Sequence, residues 1–442
     1  MHMPLLAIKL ECLYRRPHRC GLRLLSVLLL YFGLVQTSQA YHPNRFHVNN
    51  LEPAVSKLDQ QVRSYLHKKQ IPGCAIAVVY QNNIVFMKAY GQRELGKEAM
   101  IDADTVFQLG SVSKPVAATL LSILEHKGYL RLDDPVQDHL KHFSINNRQR
   151  TNTLRIKHIL SHSTGVPRAG FNQLIESHTP YQKILRTLQS IPARTAAGRR
   201  YDYNNAMYAT VGDITKAATH LSFREALRLH LLEPLKMKSS TTTLDGLLST
   251  HNRASPHIRG PRGQLVPRTN YSDSYYAVAP AGGINSSVRD MSVFLKAQMG
   301  GYPEILSHKM LLRIQAPQIA THAVLGSATR YPQLLKQGQY AMGWRVVNFA
   351  HHTLVFHGGW VGGFTNFVGF MPEHKLGIVV LHNSESKFSS KVAVQFFESF
   401  LNLPATPTTT KVVKKVTSTK KVRKTISTKK QRKMARVEKR RS

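Results

Sequence analysis

The sequence predicts a mixed α/β domain of the α+β type: one mainly antiparallel sheet flanked by helices, with a helical subdomain inserted into it. Three observations lead there. Strand patterns stand near the start, at 75–80 and 84–90, joined by Gln81-Asn82-Asn83 as in a hairpin. They return only much later, at 342–349, 353–357, 364–370 and 377–381. Helical spacing dominates between them, over 111–300. Strands at both ends and helices between them imply one sheet assembled from distant segments.

In chain order, the first element is an export signal. Arg15, Arg16, Arg19 and Arg23 precede an apolar run over 24–35, then Ser38-Gln39-Ala40, whose small residues suit cleavage after Ala40. The apolar run is too short for a comfortable membrane span. The expected location is therefore periplasmic or secreted. A helix over 51–70 shows apolar spacing at Leu51, Val55, Leu58, Val62 and Leu66, and Pro72-Gly73 ends it. Past the first hairpin comes an apolar helix after Ser111, then a long irregular stretch near 236–275. A last helical segment covers 386–401. The expected organisation is a signal over 1–40, a catalytic domain over 41–403 and a disordered tail over 404–442.

Composition narrows the class. A chain of 442 residues, 42% hydrophobic with 17 Tyr and 17 Phe, is a globular protein rather than a disordered one. The net charge is +37, and residues 411–442 hold 15 Lys or Arg against one Glu. Residues 41–410 still carry +19, so the globular part is basic too. Cleavage of the signal would remove Cys12 and Cys20 and leave Cys74, in an apolar run, as an inert buried thiol with no disulfide partner.

The chemistry centres on Ser111-Val112-Ser113-Lys114. A Ser with Lys three positions on is a weak signal alone, since Ser384/Lys387, Ser418/Lys421 and Ser427/Lys430 share it. Only Ser111 opens an apolar helix, with Val116, Leu120 and Leu124 on one stripe and Pro115 in the tolerant first turn. Ser and Lys at i and i+3 share a face, so the amine can approach the hydroxyl. Ser113 points elsewhere and suits capping or packing. Farther along, Tyr203 and Asn205 stand at another helix start. His357-Gly358-Gly359-Trp360 lies between two strand signals, where glycines let a ligand approach the backbone.

Those three elements, in that order, resemble the penicillin-binding proteins and class C β-lactamases with their esterase and D-amino-acid peptidase relatives. The family pattern is Ser-x-x-Lys, then Tyr-x-Asn, then a Lys/His-x-Gly triplet on a sheet edge. Leu160-Ser161-His162-Ser163-Thr164-Gly165, Pro280-Ala281-Gly282-Gly283, the Asp290 helix and Tyr340-Ala341-Met342-Gly343-Trp344 fit as well, so the resemblance covers 52–402. It implies an exported acyl-serine hydrolase, D,D-carboxypeptidase-like, with Ser111 as nucleophile. Lys114 would hold Tyr203 partly ionised, and the phenolate would take the Ser111 proton. Ser111 and Trp360 would supply the oxyanion-hole N–H groups. Asn205 would orient Lys114 and the substrate carbonyl, and His357 and Gly359 would line the substrate.

One departure stands out. Class C β-lactamases carry Lys-Thr-Gly where this chain has His357-Gly358-Gly359, so a fixed charge and a carboxylate-binding hydroxyl are missing. This argues against efficient β-lactam hydrolysis, leaves acylation open, and keeps a broad carboxylesterase as the alternative. No cofactor and no metal are expected. His158/His162 have helical metal-pair spacing but no acidic third ligand nearby, and Asp133-Asp134 before Pro135 suits a turn. The expected partners are a small peptide, ester or β-lactam substrate and, through the tail, an anionic envelope polymer or lipid surface. The tail lacks interleaved aromatics, which argues against nucleic acid. The alternative of another class is a non-catalytic anionic-polymer binder.

Overall fold

Strand β1 (Gly73–Tyr80) puts Cys74, Ile76 and Val78 on one side and Ala75, Ala77 and Val79 on the other, and all six are fully buried. Such a strand requires a sheet covered on both faces. The computed structural model, which describes residues 48–403 apart from Ala169 and Ala323, has that arrangement. The expected export signal over 1–40 and the expected disordered tail over 404–442 lie outside the described residues.

The main sheet has eight strands. β2 (Asn83–Gly91) returns from β1 through Gln81 and Asn82, both at positive φ, as a tight two-residue hairpin demands. Two short strands, β3 (Phe107–Gln108) and, later, β6 (Asn285–Ser286), form a separate ladder. β4 (His257–Arg259) and β5 (Leu265–Pro267) make a small hairpin within the stretch expected to be irregular. The remaining strands are β7 (Ile319–Ala320), β8 (Leu335–Tyr340), β9 (Arg345–Phe349), β10 (His352–Val361), β11 (Phe364–Met371) and β12 (Leu376–His382). The order β2-β1-β12-β11-β10-β9-β8-β7 is antiparallel throughout. β1 thus inserts between its hairpin partner and the last strand of the chain.

Helix α1 (Val48–His67) and the final helix pack together on one face, where Leu58, Val62, Phe396 and Phe397 meet Ile76, Val78, Phe367 and Ile378. The opposite face is covered by α2 (Ser113–His126), α3 (Asn205–Ala209), α4 (Val288–Gln298) and the helices between them. The final helix, α5, is Phe388–Phe400. Every residue of α2 from Ser113 to Leu124 is buried. The Ser113 hydroxyl accepts the Ile284 N–H at 3.1 Å, a packing role. Asp134 accepts the Arg131 N–H and Asp133 pairs with Lys157 and Arg313, so the two acids are turn and bridge elements. Burial pushes the Cys74 thiol up, so it stays protonated.

Candidate active site

The nucleophile turn is built by two close approaches. Gly110 opens the 3-10 turn Gly110–Val112 at φ +56°, and a Cβ there would stand 2.7 Å from the Trp360 carbonyl oxygen. A Cβ on Gly359 would stand 2.0 Å from the Leu109 carbonyl oxygen. Only glycines let the turn and β10 lie this close, so the Trp360 backbone is held beside Ser111. β10 pairs with β9 only as far as Phe356, which leaves its edge from His357 onward facing Ser111. Gly358 faces open space, where a Cβ would meet only one atom, at 3.8 Å. At Gly359 the Leu109 carbonyl fills that space instead.

Lys114 is fully buried, in the first turn of α2. Its Nζ lies 2.6 Å from the Ala281 carbonyl oxygen, 2.7 Å from Asn205 Oδ1 and 3.2 Å from Ser111 Oγ. Burial pushes the amine well below an ordinary lysine, and the Arg345 charge adds to this. A neutral amine fits the geometry. With its two N–H groups on Ala281 and Asn205, the lone pair of the neutral form would be left toward the serine hydroxyl. Asn205 donates its other amide end to Asn172 Oδ1 at 2.9 Å and sits beneath the lysine, outside the cleft lining. Its Oδ1 therefore holds the Lys114 amine in place.

The Tyr203 hydroxyl donates to Ser111 Oγ at 2.8 Å, and its ring lies 4.1 Å from that of His162. Asn204 caps α3 and donates its N–H to His162 Nδ1, which fixes the entry of Tyr203 and Asn205. Burial raises the Tyr203 phenol above its ordinary range, although the Ser111 contact and the Arg345 charge oppose this. The phenolate implied by the family resemblance is thus disfavoured at rest, because the phenol is buried and Lys114 itself is pushed toward neutrality. The helix that carries His158 ends at Leu160. His158 and His162 therefore do not share a helical face.

His357 carries no charge to substrate. Its Nδ1–H donates to the Gly358 carbonyl and its Nε2 accepts from the Tyr340 hydroxyl at 3.0 Å. Burial, with Arg345 and Lys114 nearby, pushes the imidazole well below its usual value. It is a hydrogen-bonded, neutral part of the cleft wall. A cation beside the catalytic tyrosine that sequence reasoning missed is Arg345. Its guanidinium lies 5.4 to 5.9 Å from the rings of Tyr340, Tyr203 and Tyr201 and has no carboxylate partner among the described residues. Its position directly after the Tyr340–Trp344 motif was the available signal.

Ser111, Tyr203, Arg345, His357 and Trp360 line a cleft of about 340 Å³. Trp360 is half exposed at its rim. Lys387, Leu325 and Ala328 form its far wall, and that wall is pinned by Glu398 of α5, fully buried, which accepts from Thr329 Oγ1 and from Arg330 Nε and N.

A serine with a buried amine and a phenol on its Oγ, set against an open strand edge between a sheet and a helical subdomain, defines a serine acyl hydrolase of the penicillin-recognising fold. The β-lactamase family model matches residues 58–395, and the chain belongs to that family. Protein flp of Staphylococcus aureus strain MW2 is 25% identical over 362 residues, covering 81% of this chain and 69% of the relative. Unguisins hydrolase ungD of Aspergillus violaceofuscus is 25% identical over 384 residues, covering 81% and 66%. Among solved structures, the octameric penicillin-binding protein homologue from Pyrococcus abyssi superposes with a TM-score of 0.69 at 25% identity, over 79% of this chain and 77% of that one.

Proposed function

We propose that the chain is an exported acyl-serine hydrolase that cleaves D-amino-acid peptide amide bonds, or the corresponding esters, through an acyl-enzyme on Ser111. The observation that carries this reading is the convergence of Lys114 Nζ and Tyr203 OH on Ser111 Oγ, at 3.2 and 2.8 Å. Ser111 Oγ attacks the carbonyl carbon while its proton passes to the Lys114 amine. The oxyanion that forms is received by the N–H groups of Ser111 and Trp360, which the paired glycines hold together. The proton returns through the Tyr203 hydroxyl to the leaving nitrogen or oxygen. Water then takes the leaving group's place, gives up a proton along the same route and releases the acid.

Arg345 supports a substrate that bears a carboxylate beside the scissile bond, because a cleft-lining guanidinium with no carboxylate partner among the described residues favours an anion. This offsets the lost Lys-Thr pair, which by itself favours a broad carboxylesterase or a weak β-lactamase. The open space at Gly358 keeps the esterase reading in play. Comparing kcat/KM for an N-acyl-D-alanyl-D-alanine peptide and for a neutral nitrophenyl acetate, in wild type and Arg345→Met, tests the choice. Measured on the high-pH plateau of each protein, the peptide rate should fall about tenfold or more, as expected for a lost charge-assisted contact, while the ester rate holds within about twofold. Ester turnover without peptide turnover in the wild type would favour the esterase.

A further inference from the structure

Away from the catalytic serine, a groove of about 540 Å³ runs between the segment after β2 and the strand-poor stretch 251–271. It is continuous with a second lobe of about 580 Å³, since Arg253, Arg268, Thr269 and Tyr271 line both. Three guanidiniums face it, those of Arg93, Arg253 and Arg268, and none has a carboxylate partner among the described residues.

Two of the three are held in place by neutral groups. Arg93 donates to the carbonyls of Met100 and His251, both at 2.9 Å. Arg253 donates to the carbonyls of Leu248 and Thr250 and lies 6.0 Å from the Tyr271 ring. Carbonyl oxygens fix a guanidinium without cancelling its charge, so these cations are set in place before any anion arrives. Tyr271 forms the floor: its hydroxyl donates to the Ala254 carbonyl and its ring stacks on Phe364. Arg268 lies over Gly362, where a Cβ would stand 2.4 Å from one of its nitrogens, and its guanidinium makes no hydrogen bond among the described residues, its backbone N–H alone donating to the Pro256 carbonyl. The acids nearby are already engaged. Glu94 binds Lys97 at 2.9 Å and the Ser255 hydroxyl at 2.7 Å, and Asp273 lies 3.4 Å from His178.

We infer that this groove is an anion-binding site for a phosphate-bearing ligand with at least two negative charges. A planar guanidinium offers paired N–H donors that match phosphate oxygens, and three of them around one concavity favour a multiply charged group over a single carboxylate. The site is distinct from the catalytic cleft, and its occupation does not require Ser111 chemistry.

Calorimetric titration of the full chain with inorganic tripolyphosphate tests the site. Arg268→Gln breaks no side-chain hydrogen bond or ion pair among the described residues, so it should fold as the wild type and bind about tenfold more weakly, the order expected for one charge-assisted contact. Arg253→Gln combined with Arg268→Gln should weaken binding further. The tail supplies the control, because it too can hold phosphate. If Lys420→Gln with Lys421→Gln weakens binding while Arg268→Gln does not, the anion sits on the tail and the site is refuted. Equal affinity in every variant refutes it as well. A phosphate polymer that binds more tightly than tripolyphosphate, with the loss in Arg268→Gln retained, identifies a chain-like ligand, and equal affinities identify a small one.

Discussion

Lys114 is the residue on which the chemistry turns. A lysine with no exposed surface is driven toward its neutral form, because burial removes the water that would solvate the charge. Arg345 pushes in the same direction from across the cleft. The pH dependence follows in sign. An amine needed as a base works above its folded pKa and fails as pH falls through it. The acylation rate should therefore rise with pH to a plateau along one ionisation lying well below the ordinary lysine value. Arg345→Met removes a repelling charge, so it should move that ionisation toward higher pH. Single-turnover acylation followed across pH in both proteins checks this, and an unmoved profile would detach Arg345 from Lys114. Much of this was legible: Ser111, Lys114 and Tyr203 stand together as the motifs implied. Protonation was not, because spacing carries no information about burial.

At the scale of elements, β10 does the positioning, and it was only half legible. The pattern predicts a strand over 353–357, whereas β10 continues through Val361. Gly358 and Gly359 lower strand propensity locally, yet the ladder to β11 and the packing against Leu109 override it. A strand was likewise expected to begin at 342, but Gly343, at φ +78°, turns the chain where a Cβ would meet the Lys114 carbonyl at 2.7 Å. β9 therefore starts at Arg345. β8 was not predicted at all, since Leu335–Tyr340 reads LKQGQY and offers little apolar alternation near the edge of the sheet. The two glycines of β10 make opposite predictions. Gly359→Ala should destabilise the fold by about 2 kcal/mol or more and cut kcat about a hundredfold, because it levers an oxyanion donor away from Ser111. Gly358→Ala should leave stability within about 0.5 kcal/mol, as an open surface position allows. Thermal denaturation and steady-state rates on both variants separate them, and matched losses would contradict the packing account.

For the molecule as a whole, the split of strand signals between the two ends of the catalytic region predicted a sheet closed by distant segments, and β1 pairing with β12 is that closure. The inserted helical region then brings Tyr203 to Ser111 from 92 residues away. Arg345 escaped notice because its role comes from the site's assembly rather than from local pattern. The central claim is that this assembly activates one hydroxyl. The direct measurement is covalent labelling of the protein with a tagged fluorophosphonate and a tagged penicillin, followed by peptide mapping. The label should sit on Ser111, vanish in Ser111→Ala and persist in Ser113→Ala, whose hydroxyl only accepts the Ile284 N–H. Label of equal intensity in Ser111→Ala, or mapped to another residue in the wild type, would contradict it.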